Sequence, residues 1–220
     1  MSLAPGVRGW LSGRRGARLQ IVLIAIGAIT LPGDWWLSPL LLAGLAAALL
    51  WLAGDDWRAV GFGCPDRHVF WWVTIAVAVG GLGQYAAVGV LVPLANRLLN
   101  SPPAPTLVPA GTLGLLFSVA VFAVLHPLAK GLAYRGFLLN RLERAFGSSL
   151  PAIAVSALLA SIIFGLVSLY QGPAGVVVGT LTGALFNILY YWARRNVWPS
   201  ALAHAVYNGV ALALLYLAYL

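Results

Sequence analysis

Two polar residues, His204 and Asn208, lie four positions apart inside the last apolar stretch of the chain. An α-helix places residues at this spacing on one face, so the imidazole and the amide point the same way. Polar side chains at membrane depth are costly and usually serve a purpose. Acid–base chemistry at this pair would need a carboxylate that the pattern does not supply, because the one glutamate is Glu143 and no aspartate follows Asp66.

The composition sets the class of protein. Hydrophobic residues make up 61% of the 220 positions and charged residues 8%, and the mean hydropathy is +0.93. This balance excludes a water-soluble domain and predicts an all-α, polytopic membrane bundle. A spanning helix needs roughly 20 apolar residues, so the chain has room for about seven spans. The predicted spans are residues 19–31, 37–53, 69–95, 106–129, 150–170, 172–193 and 197–220.

The net charge of +8 is a topology signal. If the N-terminus is cytoplasmic, Arg97 is the only basic residue that falls on the outer side, which fits the positive-inside rule. We therefore predict a multi-pass protein of the inner (plasma) membrane with a cytoplasmic N-terminus. Basic residues at helix ends are expected in such a protein, so nucleic acid is not a predicted partner and the lipid bilayer is.

Two further features of the chain concern processing and cysteine chemistry. Cys64 is the only cysteine and lies in a predicted cytoplasmic loop, so no disulfide and no thiol metal cluster is expected. Residues 1–31 have a basic start and a short apolar run but no convincing cleavage site before Pro32. We interpret them as a retained anchor helix.

Three polar constellations fall at membrane depth. They are HPLAKGLAYRG at residues 126–136, FGLVSLYQG at 164–172 and HAVYN at 204–208. Their order and spacing resemble the CPBP family of intramembrane proteases, which includes the type II CAAX prenyl endopeptidases and bacteriocin-processing relatives. The family motifs are Glu-Glu-x-x-x-Arg, Phe-x-x-x-His and His-x-x-x-Asn or Asp. The resemblance covers roughly residues 126–210 and implies a four-helix core within residues 106–220, behind anchor helices and a cytoplasmic loop in residues 1–105.

The motifs carry over incompletely. The positions that match are Arg135, Phe164, His204 and Asn208, and the positions that differ are Lys130 and Gly131 for the two glutamates and Ser168 for the second-motif histidine. In the family the glutamate and histidines are understood to activate a water molecule for attack on a peptide bond. An ordinary lysine is already protonated and cannot act as the general base. A metal would need three good ligands, which Lys130, Ser168 and His204 do not make, so no metal or cofactor is expected.

Three functions follow as alternatives. The resemblance with its lost base favours a catalytically impaired pseudoprotease that binds a membrane protein or a hydrophobic or lipidated (for example prenylated) peptide. A second interpretation is an active intramembrane endopeptidase in which Lys130 and Ser168 face each other as a dyad. The third is a small transporter. Whether the chain is an enzyme is therefore open, and fold resemblance alone does not decide it.

Several basic and polar residues carry competing interpretations. Lys130 is expected to extend to the headgroups rather than into the bundle. Arg135 is either an interface anchor or a residue that orders the site. His126 is either a displaced base or a polar residue capped by a neighbouring helix beside Pro127.

Charged residues and glycines further along the chain are expected to be structural. Arg141 and Arg144 are expected at the headgroups, with Glu143 as the ion-pair partner of one or the other. The repeat of Gly175, Gly179 and Gly183 predicts close helix packing, with Asn187 bonding across that face.

Overall fold

A computed structural model describes residues 5–31, 36–58, 60–63, 69–101 and 111–218. Helices α1 to α8 span Pro5–Ser12, Arg14–Thr30, Ser38–Ala53, Val69–Leu99, Gly111–Phe146, Leu150–Leu166, Gly172–Trp192 and Val197–Leu217. A 3₁₀ turn, Val167–Gln171, joins α6 to α7. These ranges contain no strand, which confirms the predicted all-α class. Cys64 lies outside the described residues, so the prediction for its loop is untested.

Long apolar helices dominate the described part of the chain. The stretches Val69–Leu99, Gly111–Phe146, Leu150–Trp192 and Val197–Leu217 are long and apolar enough to cross a membrane, and Ser38–Ala53 is a shorter apolar helix. Large apolar side chains such as Leu82, Leu113 and Ile188 face outward and are mostly exposed. Exposed apolar surfaces of this kind are suited to contact with lipid rather than with water, so the protein is a multi-pass membrane protein.

The stretch Leu150–Trp192 folds back on itself as a hairpin. Gly172 begins α7 at φ 78°, a left-handed conformation that glycine adopts without strain. The glycine repeat then lets α7 lie directly on α6, because a Cβ at Gly183 would come within 3.1 Å of the Phe164 side chain. Asn187 Nδ2 donates across the same contact to the Ala157 carbonyl at 3.2 Å and to Ser161 Oγ at 3.0 Å. The predicted packing face and its hydrogen bond are both confirmed.

Prolines coincide with local widening of two long helices. The π-helical turns Ala87–Leu91 and Val119–Leu125 each end just before a proline, Pro93 in α4 and Pro127 in α5. Proline lacks the N–H that an α-helix needs and clashes with the preceding turn. A π turn absorbs that mismatch while the helix continues.

Ion pairs cluster at the end of the bundle where α3, α5 and α7 finish. Asp55, just after α3, accepts hydrogen bonds from Arg141 and Arg144 of α5. Arg141 Nε also donates to Gln20 of α2. Burial by itself would raise the pKa of Asp55, but the hydrogen bonds and positive charges of Arg144 and Arg141 hold that pKa below its ordinary value.

This cluster corrects two predictions. Arg141 is not at the headgroups: its side chain is 0% exposed, because the end of α3 closes over α5 and brings Asp55 to it. Glu143 pairs with neither Arg141 nor Arg144 and instead accepts from Tyr191 at 2.8 Å and from Arg195 at 2.6 Å. The two acidic residues thus divide the cations of this end between them.

Successive connections lie at opposite ends of the bundle. Gly61 accepts a backbone bond from Val197 at 3.0 Å, beside the Asp55 cluster. At the far end, Gly172 lies against the Ser101 hydroxyl. The helices therefore alternate in direction as the spans predict, and α5 runs through the middle with Ala133, Phe137, Leu138 and Leu139 fully buried.

Candidate functional site

The three motif regions meet around the aromatic ring of Phe164, near the end of α6. The Lys130 ammonium lies 5.4 Å from the ring centroid and the Arg135 guanidinium carbon 5.3 Å. The His204 ring centroid lies 5.8 Å away and the Tyr134 ring 5.1 Å away, both edge-on. The sequence order of the motifs is therefore matched by their spatial convergence. We refer to Lys130, Arg135 and His204 as the basic cluster.

His204 is held by α8 and by stacking. The helix begins at Val197, where the Asn196 side chain accepts a hydrogen bond from the Trp198 N–H at 3.0 Å. At 1.5 Å per residue His204 lies roughly 10 Å along the helix from that start. Its ring stacks on Phe186 of α7 with centroids 4.9 Å apart, and the residue is 3% exposed. Its Nδ1 has no hydrogen-bond partner among the described residues.

Asn208 lies one turn further along and bonds elsewhere. Its Nδ2 donates to the Phe122 carbonyl at 2.6 Å, within the π-helical turn of α5. No hydrogen bond to His204 is found among the described residues. Asn208 therefore ties α8 to α5, which is the structural role of an amide inside a helix bundle.

Lys130 corrects a prediction. Its side chain does not run to the headgroups but turns inward, over Phe164 and beside a cavity of about 10 Å³. The cavity is lined by α2 and α3 residues including Gly27, Ser38 and Leu42, together with Tyr134. Because α2 and α3 cover α5 on that side, the Lys130 side chain points into the bundle.

Arg135 is a buried residue of the site and not an interface anchor. It is 1% exposed, and its guanidinium carbon lies between Phe164 at 5.3 Å and Phe186 at 5.0 Å. Both rings present π-electrons to the cation, a favourable contact. Its Nε and Nη1 atoms have no hydrogen-bond partner in the part of the chain that the structure describes.

The substituted positions Gly131 and Ser168 behave differently. A Cβ at Gly131 would come within 2.9 Å of Val197 Cγ1, so the glycine permits α8 to cross α5 closely. The Ser168 hydroxyl lies against Gly179 of α7, 3.0 Å from where a Cβ would stand. Within the described residues no hydrogen bond joins Ser168 to Lys130. That Lys130 and Ser168 face each other as a dyad therefore stays a prediction.

His126 takes the capped role. Its Nε2 donates to the Trp36 carbonyl at 2.6 Å, and its ring meets Phe122 edge-on at 4.8 Å. The bond links α5 to the segment before α3. A histidine committed to a backbone carbonyl in this way anchors helices.

Acidic side chains are absent from the basic cluster within the described residues. Asp55 and Glu143 are engaged at the end of the bundle, and Asp56 bonds the Arg58 N–H in its own loop at 3.0 Å. Asp34 and Asp66 lie outside the described residues. The described residues also hold no group of three or more His, Cys, Asp or Glu side chains that could bind a metal.

Comparison with known proteins identifies the region that carries this site. The model of one protein family, described as type II CAAX prenyl endopeptidase Rce1-like, matches residues 111–210. Over these residues the chain is similar to that family. The match spans just under half of the chain and confirms the resemblance seen in the three motifs. No curated protein and no solved structure matches the chain.

The matched region contains one contributor to the site that the motifs did not reveal. Phe186 of α7 contacts both His204 and Arg135, yet it belongs to no motif. The available signal was its position three residues after Gly183, on the helix already predicted to pack closely. The sequence does not predict which cation an apolar residue on an apolar helix will contact.

Proposed function

We propose that this Rce1-like membrane protein is a catalytically impaired pseudoprotease that binds a membrane partner or a hydrophobic or lipidated peptide. The observation that carries the proposal is the basic cluster itself. Where the family pattern has a glutamate, this chain has Lys130, and the described surroundings of His204 are cationic and aromatic. Peptide hydrolysis needs a group that accepts the proton of the attacking water, and a protonated lysine or guanidinium has no acceptor to offer.

The topology belongs to the same proposal. Residues 106–220 form the core, residues 1–105 provide the anchor helices and loop, and the N-terminus faces the cytoplasm of a cell with the protein in its inner membrane. The charge distribution supports this orientation, because Arg97 alone falls on the other side.

The decisive experiment is a cleavage assay on membranes that carry the full chain, with a prenylated peptide ending in a CAAX sequence as reporter. The native protein is expected to give no cleavage above membranes without it. The repaired variant is Lys130→Glu combined with Ser168→His, which restores two motif positions and leaves Gly131 in place because α8 packs on it. Activity that appears only after repair supports a silenced site.

The same assay tests the alternative peptidase. Cleavage by the native chain that disappears in Lys130→Ala and in Ser168→Ala would replace the proposal with an active Ser–Lys enzyme. Cleavage by the native chain that survives both substitutions would assign hydrolysis to other residues. Either result ends the pseudoprotease interpretation.

A further inference from the structure

The basic cluster brings two cations together without a described counter-charge. Arg135 is buried and Lys130 is partly buried, and both lie over the Phe164 ring that also meets His204. Aromatic faces attract cations, but they accept no N–H hydrogen bond of the strength that a carboxylate would. The cluster is therefore short of negative charge.

Unused donors at the cluster support the same conclusion. Arg135 and His204 are both more than nine-tenths buried, and Arg135 Nε, Arg135 Nη1 and His204 Nδ1 lack partners among the described residues. Buried polar groups in folded proteins are nearly always hydrogen-bonded, and buried charges are paired. Two open guanidinium donors, beside a histidine nitrogen that donates in one of its two tautomers, indicate a ligand that accepts hydrogen bonds.

The number of open donors limits the charge of that ligand. The cavity of about 10 Å³ is lined by Lys130 but by neither Arg135 nor His204, so it does not set the size of a group that all three would bind. Its other lining residues are mostly apolar and include Ala28, Leu31 and Val167. A compact group with one negative charge suits these few donors better than a phosphate, which brings more charge and three oxygens that need donors.

We propose that Lys130, Arg135 and His204 bind a carboxylate group, and that this carboxylate is carried by a ligand that enters from the membrane. The inference rests on the proposed binding function and names the chemistry of its ligand. A planar carboxylate matches the guanidinium donors and gains a charge-assisted bond from each. The cluster lies among apolar helices, so a carboxylate at the end of an apolar chain reaches it without the whole ligand leaving lipid.

The test uses the full-length protein in nanodiscs of neutral lipid and measures the thermal unfolding midpoint. One pair of probes is oleate and methyl oleate, which differ in the free carboxylate. A second pair is acetate and acetamide at constant ionic strength, which presents the carboxylate in water. A ligand at a hundredfold excess over its Kd should raise the midpoint by roughly 5–10 °C.

The variants separate the cluster from general charge effects. Lys130→Met removes the ammonium, and Arg97→Met is the matched control that removes an exposed positive charge on α4. The oleate shift is expected to shrink severalfold in Lys130→Met and to persist in Arg97→Met. Lys130→Glu places a carboxylate of the chain itself beside Arg135. Without ligand, this variant is expected to have a higher unfolding midpoint than the native protein, and oleate is expected not to shift that midpoint.

Each remaining outcome counts against the inference. Equal shifts with oleate and methyl oleate overturn carboxylate binding, as does an oleate shift that Lys130→Met leaves intact. A shift with acetate that oleate does not exceed overturns the membrane origin of the ligand. These results are independent of the cleavage assay. Peptide cleavage by the native chain would end the proposed function and leave a measured oleate shift valid. The absence of any shift would end this inference and leave a measured lack of cleavage valid.

Discussion

Asp55 holds the end of the bundle together, and replacing it by alanine is expected to destabilise the protein strongly. The carboxylate is the ion-pair partner of Arg141 and Arg144. Arg141 is 0% exposed, whereas Arg144 is partly in solvent. In Asp55→Ala the lost pair with Arg141 is therefore expected to lower stability more than the lost pair with Arg144.

The magnitude follows from burial. Breaking a buried ion pair by removing one partner costs about 3–5 kcal/mol, because the other charge stays buried without compensation. The pair with Arg144 adds at most about 1 kcal/mol, as exposed pairs do. Gln20 still accepts from Arg141 Nε after the substitution, which places the total near the lower bound, at about 3 kcal/mol. For a chain of this size that is a fall in the unfolding midpoint of roughly 6–12 °C.

The assay is thermal unfolding of the purified protein in a mild detergent, with a double-mutant cycle. Asp55→Ala, Arg141→Met and the combination are compared, and Asp56→Ala serves as control because it removes the neighbouring, exposed carboxylate. The combined variant is expected to be more stable than Asp55→Ala, since no unpaired guanidinium remains. A coupling of about 2 kcal/mol between the two positions is expected.

Two results would refute this reasoning. One is an Asp55→Ala protein that melts within about 1 °C of the native chain, which would mean that the pair contributes little to stability. The other is additivity of Asp55→Ala and Arg141→Met, which would mean that the two side chains do not interact. A loss in Asp56→Ala equal to that in Asp55→Ala would assign the effect to general loop charge.

Three further predictions test the packing and the electrostatics. Because the folded pKa of Asp55 is lowered, its contribution is complete above the ordinary aspartate pKa of about 4 and is lost as the pH falls below it, so between pH 5 and pH 3 the unfolding midpoint of the native chain should fall more than that of Asp55→Asn. Gly131→Ala should cost about 1–2 kcal/mol, because its Cβ would overlap Val197, and Val197→Ala should relieve most of that loss in thermal unfolding. Asn187→Ala should cost about 1 kcal/mol, since it removes two hydrogen bonds to α6, while Asn187→Asp should not restore the loss because a carboxylate cannot donate to the Ala157 carbonyl.

The helices and the family motifs were readable from the sequence because both are local patterns. A stretch of about 20 apolar residues predicts a span wherever it occurs, and each of the described helices α2 to α8 overlaps one of the seven predicted segments, although α5 continues to Phe146, well beyond the predicted end at residue 129. The glycine repeat in α7 predicted its own packing face because a surface without side chains permits close approach from any partner. The motif residues Arg135, Phe164 and His204 were found through the resemblance to the family motifs, and they do converge.

Side-chain direction was not readable in the same way. Lys130 was expected at the headgroups and Arg141 with it, but both turn inward because α2 and α3 fold over α5. The Ser168 hydroxyl lies against α7, a contact that its spacing in the chain did not indicate. Spacing along one helix fixes the face that a residue occupies, and it leaves open which distant element covers that face.

The sequence by itself determined an all-helical membrane protein with the family's motif order and without the family's glutamates, because composition, hydropathy and residue identity need no partner to be read. The tertiary structure alone decided that Asp55 neutralises Arg141, 86 positions away, while the Arg135 guanidinium lies between aromatic rings from two other helices. The physical reason is that a charge is compensated by whatever lies within a few ångströms of it, and in a helix bundle those neighbours come from segments far apart in the chain.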